Sequence, residues 1–315
     1  MRIAIIGAGM AGCACGIRLR EAGHAVQVFD KGRGPGGRMS TRRMDAGDSS
    51  VQFDHGAPWF DVRDARFVRQ IASWQQQGLV ERWPAAGQDA WVGSPAMNAP
   101  VRNMAALLGV HFNTRIECVA RVSDAWFLHG AGVPTKGYDA VVIAVPAEQV
   151  APLIAADAPQ FAQAADSVVS EPCWTAMLAF ESPLAFDPDT IGATGPVIDR
   201  AVRNTSKPDR GAPECWVVQA SADWSRENLE CDAHFVVQRL RDALVTAIGT
   251  ELPAVLAGSA HRWRYARPAS LGRQCEWDGT RRLGLCADWL TAPSVEGAWL
   301  SGTLLAQRMI AGQAA

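Results

Sequence analysis

Ile3-Ala4-Ile5-Ile6-Gly7-Ala8-Gly9-Met10-Ala11-Gly12 reads as a short apolar strand that turns through three glycines directly into a helix. Each glycine has a separate task in such a turn. Gly7 permits the tight bend, Gly9 presents no side chain to a pyrophosphate, and Gly12 lets helix and strand pack closely. The helix start then offers free N–H groups and the positive end of its dipole to the phosphates. Val26-Gln27-Val28-Phe29-Asp30 follows as a second strand ending in an acid at the offset where a ribose hydroxyl is bound. The Asp30 carboxylate repels a 2′-phosphate, so the adenosine ribose is expected to be unphosphorylated, as in FAD or NAD.

The next segment separates those two cofactors. Lys31-Gly32-Arg33-Gly34-Pro35-Gly36-Gly37-Arg38-Met39-Ser40-Thr41-Arg42-Arg43 carries a second glycine pair, a device NAD enzymes do not usually need. Gly36 and Gly37 let the backbone approach the cofactor again, and the planar Arg38 fork can bond phosphate or flavin-edge atoms. Near the other end, Asp288 closes a short strand and is placed to accept hydrogen bonds from ribityl hydroxyls. The helix start Glu296-Gly297-Ala298-Trp299 can lie against the flavin pyrimidine ring, where its dipole stabilises negative charge on reduction.

Composition sets limits on partners. With 30 basic and 32 acidic residues among 315 and 48% hydrophobic residues, the chain can bury a large core and implies no polyanion partner, hence no nucleic acid. The N-terminal apolar stretch is broken by Arg18, Arg20 and Glu21, so a membrane span is not expected, and a cytoplasmic location is. Eight cysteines at 13, 15, 118, 173, 215, 231, 275 and 286 show no CxxC pairing, and the six histidines no HExxH, so no metal site is expected.

The coarse pattern is interleaved. Strands are expected at about 2–6 and 25–29, helices near 64–78 and 95–108, a strand around 110–117, a hairpin over 119–128, and a buried parallel strand at 141–145 ending at Pro146. From about 150, frequent prolines punctuate what read as short strands of an antiparallel sheet, with a long helix over 232–248. A strand at 283–287 and a helix at 295–310 return to the first unit. The expected fold is α/β: a Rossmann-like FAD-binding domain of the glutathione-reductase and amine-oxidase type, with an inserted antiparallel-sheet α+β substrate domain. Residues 1–62, 94–150 and 270–315 are assigned to the FAD-binding domain, and 63–93 and 151–269 to the substrate domain.

Several blocks resemble the FAD-dependent amine oxidase superfamily, and within it the bacterial renalases: FDKGRGPGGRMSTRR from Phe29, FDHGAPWF from Phe53, WVGSPAM from Trp91, RNTSKPDR from Arg203, HRWRYARPA from His261 and VEGAWLSG from Val295. The resemblance implies that Met10, Ala11, Lys31, Met39, Gly56, Ala57, Ile116 and Ala144 join Gly7, Gly9, Gly12, Asp30, Gly36, Gly37, Arg38, Asp288, Glu296, Gly297, Ala298 and Trp299 around the cofactor. It implies catalytic placement of His261, Arg203 and Asn204, and a substrate pocket of Pro58, Trp59, Phe60, Trp91, Lys207, Trp263 and Tyr265. Two residues depart from the family pattern: Ala287 replaces a glycine before the aspartate, and Pro58 replaces a common glutamine. No cysteine has the neighbourhood that tethers flavin in amine oxidases, so noncovalent FAD is expected. The implied reaction takes hydride from 2- or 6-dihydro-NAD(P) and passes the electrons to O2, giving NAD(P)+ and H2O2, in a monomer or weak dimer. An amine or other oxidase of the same superfamily, and a non-catalytic FAD or NAD sensor, remain open at this point.

Overall fold

The computed structural model describes residues 1–47 and 49–312. Strand β1 (Arg2–Ile6) enters helix α1 (Met10–Glu21) and returns as β2 (Ala25–Phe29). A hairpin follows, β3 (Thr41–Ala46) and β4 (Ser49–Asp54), then β5 (Phe60–Asp61), α2 (Ala65–Gln76), β6 (Val80–Arg82), β7 (Ala90–Gly93) and α3 (Ala99–Leu108). β8 (Cys118–Val122) and β9 (Ala125–His129) pair as a second hairpin before β10 (Ala140–Ile143), α4 (Ala151–Ile154) and α5 (Pro159–Asp166). Then come β11 (Ser170–Phe180), β12 (Thr190–Ile191), β13 (Ile198–Arg203), β14 (Glu214–Ala220), α6 (Ala222–Glu227), α7 (Ala233–Ile248) and β15 (Val255–Pro268). The chain closes with β16 (Glu276–Asp278), β17 (Leu283–Leu285) and α8 (Val295–Ala311).

Two five-stranded sheets carry the molecule. The first runs β16-β17-β10-β1-β2, parallel except for the β16 edge. All four residues of β10 are buried, because the sheet is covered on both faces. Ile3, Ile5, Val28 and Val142 pack with α1, α3 and α8, while Ala4, Phe29, Val141 and Leu285 pack with the β8–β9 hairpin and α4–α5. A Cβ at Gly302 of α8 would stand 2.1 Å from the Ala11 carbonyl oxygen, so the two helices cross at backbone contact.

The second sheet is antiparallel, β12-β13-β14-β11-β15. Trp174, Ala176, Leu178, Trp216 and Val218 face α7, whose Val236, Leu240 and Leu244 complete that core. The opposite, inner face packs Met177, Ala179, Cys215 and Val217 against Ala46, Val51 and Phe53 of the β3–β4 hairpin.

Two expectations need correction. Residues 110–117 form no strand: only His111 bridges Phe29, after which Asn113 turns in the left-handed region (φ 53). That turn lets Thr114 N donate to the Asp30 carbonyl and Asn113 N to that of Gly32, so the segment clamps the loop after β2 instead of extending the sheet. The strands of the second sheet are also not uniformly short, since β11 has 11 residues and β15 has 14. Pro172 does not end β11; it sits at a register shift between Glu171 and Cys173, where its missing N–H is absorbed by a bulge.

Candidate functional site

The three glycines of the first turn do different things. A Cβ at Gly7 (φ 104) would lie 2.3 Å from the Ala144 carbonyl oxygen, and one at Gly12 2.0 Å from that of Gly7. At Gly9 an added Cβ meets nothing within 4 Å. Gly7 and Gly12 therefore serve packing, and Gly9 faces open space at the start of α1, whose N-cap has no side-chain partner. Asp30 joins this turn to the next: Oδ2 accepts from Ala8 N (2.7 Å) and Oδ1 from Gly32 N (2.6 Å). Lys31 reaches away to Gln149 Oε1 at 2.7 Å.

The second glycine pair lies opposite the first turn. Gly36 and Gly37 have φ of 132 and 54, and a Cβ on Gly37 would stand 3.6 Å from Gly9 Cα. Behind it, a Cβ on Gly56 would fall 1.9 Å from the Arg38 carbonyl oxygen, which also accepts from Ala57 N at 2.8 Å. Arg38 Nη2 reaches Asp288 Oδ1 at 2.6 Å. Ser294 caps α8 by accepting from Gly297 N (2.9 Å), while Glu296 accepts from Arg63 N and Asp64 N and so fixes the start of α2. Met10, Ala11, Met39 and Ile116 are buried, Ala144 and Ala298 half-buried, and Trp299 packs on Phe67 (5.3 Å) in the core. Ala287 is extended (φ −170), a conformation that makes no demand for glycine. Open space at Gly9, an uncapped helix start and facing glycine loops with Arg38 between them fit a pyrophosphate-linked cofactor such as FAD.

The inner face of the second sheet meets these loops. Register places Arg200, Gln219, Thr175 and His261 in one row across β13, β14, β11 and β15. Gln219 Nε2 donates to the Gly56 carbonyl at 2.7 Å, and Trp263 Nε1 to that of His55 at 2.9 Å. His55 stacks on Trp263 (5.1 Å between rings), and His261 meets both edge-on, at 4.9 and 4.4 Å. Burial pushes His55 down to about 4, helped by the neighbouring His261, and burial with the nearby Arg42 guanidinium also lowers His261. Both imidazoles are therefore neutral at pH 7. Trp59 is half-buried beneath the Arg200 guanidinium (5.2 Å), next to buried Pro58. Tyr265, two residues beyond Trp263 and inside the register shift, is half-buried.

Other candidates lie elsewhere. Phe60 and Trp91 pair across β5 and β7 and belong to the core. The Arg203 guanidinium is taken up by Asp189 (2.9 Å), Glu214 (3.0 Å) and the Phe186 and Asp187 carbonyls, and stacks on Trp216, on the α7 side of the sheet. Asn204 and Lys207 come together beneath the loop instead. Lys207 Nζ lies 3.2 Å from Asp54 Oδ2 and 3.3 Å from Asn204 Oδ1, and Asn204 donates to the Gln52 carbonyl. Arg210 Nη2 also binds Asp54 Oδ2, at 2.7 Å. Burial alone would raise the Asp54 pKa, but the two cations and the Met97 N–H outweigh it and hold the carboxyl well below its usual range. Lys207 is pushed down to about 8, chiefly by burial, with Arg210 opposing the relief from Asp54. This block sits one residue before His55, so it anchors the aromatic wall from behind.

Sequence reading passed over His55, Thr175, Gln219 and Arg200. Gln219 had a usable signal, a lone polar residue in the otherwise apolar end of Cys215–Ala220 that proves only 7% exposed. Arg200 had none, because a bulge at Asp199 sets its direction.

Comparison with known proteins agrees with this geometry. Residues 80–310 match the family model described as flavin containing amine oxidoreductase, and residues 5–73 match an NAD(P)-binding Rossmann-like domain. Among solved structures, a redesigned putrescine oxidase is 14% identical over 98% of each chain with a TM-score of 0.75. Cyclohexylamine oxidase from Brevibacterium oxydans is 12% identical, over 100% of this chain and 99% of that one, at 0.72. A fatty acid isomerase from P. acnes that produces CLA is 13% identical over 98% of each, at 0.70. A curated relative, the tRNA 5-methylaminomethyl-2-thiouridine biosynthesis bifunctional protein of Magnetococcus marinus, is 30% identical over 203 residues. That match covers 48% of this chain and only 30% of the relative's length. Among the described residues no helix is long and apolar enough to cross a membrane, and no group of three or more His, Cys, Asp or Glu is placed to hold a metal ion.

Proposed function

The chain belongs to the flavin-containing amine oxidoreductase family, and we propose that within it the protein is a renalase-type oxidase that oxidises 2- or 6-dihydro-NAD(P) with noncovalently held FAD. The observation that carries this reading is the neutral wall of His55, His261 and Trp263, held by two hydrogen bonds against the Gly56 loop. A dihydropyridine releases hydride because it regains aromaticity, so the protein has to position a flat ring and exclude water, not remove a proton. Among the described residues, three carboxylates near the two sheets' meeting loops are engaged: Asp54 by Lys207 and Arg210, Asp199 by Arg200 and Arg267, Asp288 by Arg38. None is left to hold a cationic amine, which argues against an amine substrate.

When bound, FAD would supply the hydride acceptor and the route by which the electron pair reaches O2, giving H2O2. The chain's own residues do the rest. Gly9 and the α1 start would receive its pyrophosphate, Asp30 would bind its adenosine ribose, and the α8 start would favour negative charge on the reduced ring. Trp263 and the imidazoles orient the substrate ring. In this reading residues 1–62, 94–150 and 270–315 bind FAD, and 63–93 with 151–269 form the substrate side. On the same reading the protein works in the cytoplasm as a monomer or weak dimer. Two measurements test the proposal. Acid precipitation should release yellow flavin into the supernatant, and aerobic turnover of a dihydronicotinamide isomer mixture should yield NAD(P)+ and H2O2 in equal amounts. Flavin that stays with the pellet defeats noncovalent binding, and an isomer mixture left unchanged defeats the substrate.

A further inference from the structure

At one end of the second sheet, two irregularities coincide. The register slips between Ile198 and Arg200 in β13, and between Glu171 and Cys173 in β11. Such bulges re-aim side chains that a regular strand would send to alternate faces. Here the slip lets Asp199 accept from its own neighbour Arg200 (Nε, 3.0 Å) and from Arg267 of β15 (Nη2, 2.6 Å) on the same oxygen, Oδ2. One carboxylate thus serves two guanidinium groups, and the cluster keeps a net positive charge. Among the described residues, no protein acceptor bonds the terminal amines of Arg200 or the remaining nitrogens of Arg267. Both side chains are about one-third exposed, 33% and 36%, so their free donors face accessible space. Arg200 lies over Trp59, on the loop that follows Gly56, and stands in the same cross-strand row as His261.

From this geometry we infer that Arg200 and Arg267, pre-set by Asp199, form an anion subsite at the edge of the substrate site, which takes the pyrophosphate of a dinucleotide substrate. The inference rests on the dihydronicotinamide reading for its ligand and on the arginine geometry for its place. Two half-desolvated guanidinium groups sharing one carboxylate suit a doubly charged oxyanion, to which planar forks bond in pairs. Arg200 and His261 stand three strand spacings apart in this row, roughly 14 Å, with Gln219 and Thr175 buried between them. Of the cations singled out by sequence, Arg203 has its charge matched by Asp189 and Glu214, and Lys207 is fully buried beside Asp54.

The test uses the flavin-loaded enzyme with Arg200→Gln, Arg267→Gln and Asp199→Asn. Inorganic pyrophosphate, titrated calorimetrically, should bind the parent and weaken roughly ten- to hundredfold in either arginine variant. Asp199→Asn, which raises the cluster's charge without removing a guanidinium, should bind it more tightly and with a steeper loss in salt. With dihydronicotinamide riboside, which lacks phosphate, the arginine variants should reduce flavin like the parent, while with the dinucleotide their KM should rise and kcat stay near its parent value. Equal pyrophosphate binding in parent and arginine variants, or none in the parent, overturns the subsite. Pyrophosphate binding lost in the variants, together with a parent enzyme that no dihydronicotinamide reduces, keeps the subsite and overturns the substrate reading alone.

Discussion

Asp54 is the residue on which the site's scaffold turns. Its single carboxylate balances Lys207 and Arg210, all three side chains at most 1% exposed. Removing one cation leaves a matched pair; removing the anion leaves two buried cations unmatched. Asp54→Asn should therefore cost about 3–5 kcal/mol in denaturant unfolding, and Lys207→Met far less. The pH dependence has a definite sign. Asp54 has a depressed folded pKa, so its contribution is complete above the ordinary carboxyl value of about 4 and is lost as pH falls through the folded value. The parent's advantage over Asp54→Asn should shrink in that acid range, and an advantage that stays constant there contradicts the burial of a charged Asp54.

The two imidazoles carry the opposite expectation for activity. With His55 near 4 and His261 also lowered from 6.5, neither titrates between pH 7 and 9. The limiting rate of flavin reduction should be flat over that range. An inflection there that vanishes in His261→Gln would show that His261 moves a proton instead of orienting a ring. The same lowered values make the folded state lose stability as pH falls from 6.5 towards 4, since only the unfolded imidazoles take up protons in that window.

At the scale of elements, the packing of α1 decides cofactor retention. Gly302→Ala would drive a methyl into the Ala11 carbonyl and separate α8 from α1, costing about 1–3 kcal/mol. Gly9→Ala meets no protein atom and sits at φ −77, so it should fold with a stability change of less than about 0.5 kcal/mol yet emerge depleted of flavin. The ratio of flavin absorbance to protein absorbance, read beside a thermal melt, checks both. A Gly9→Ala protein with full flavin content contradicts the cradle.

These contrasts show what the sequence could reveal. The strand–turn–helix, the acid after β2, the β8–β9 hairpin and the closing strand and helix follow from local patterns, because glycine spacing and apolar runs act over a few residues. The inner wall did not. His55 and Trp263 are 208 positions apart and meet only because β15 pairs with β11 and the β3–β4 hairpin folds beneath. Arg203 and Lys207 looked like substrate cations because nothing local announces Glu214 or Asp54 as their partners. The strand expected at 110–117 failed for a related reason, since only His111 bonds to β2 and the Asn113 and Thr114 amides turn to the carbonyls of the loop after it.

At the scale of the whole molecule, one sheet presents glycine loops and a helix start for a dinucleotide cofactor, and the other lays a neutral aromatic wall and an arginine pair against the same loops. Two hydrogen bonds, Gln219 to Gly56 and Trp263 to His55, join the halves where a substrate ring would sit. On the proposed function, this arrangement takes a flat, neutral hydride donor with an anionic tail in preference to a cationic amine. The most direct measurement is anaerobic mixing of the yellow protein with, separately, a dihydronicotinamide dinucleotide isomer mixture and a panel of primary and cyclic amines, following flavin absorbance in the stopped flow. Rapid bleaching by the isomers and none by the amines is the predicted result; bleaching by an amine while the isomers leave the spectrum unchanged would contradict the account.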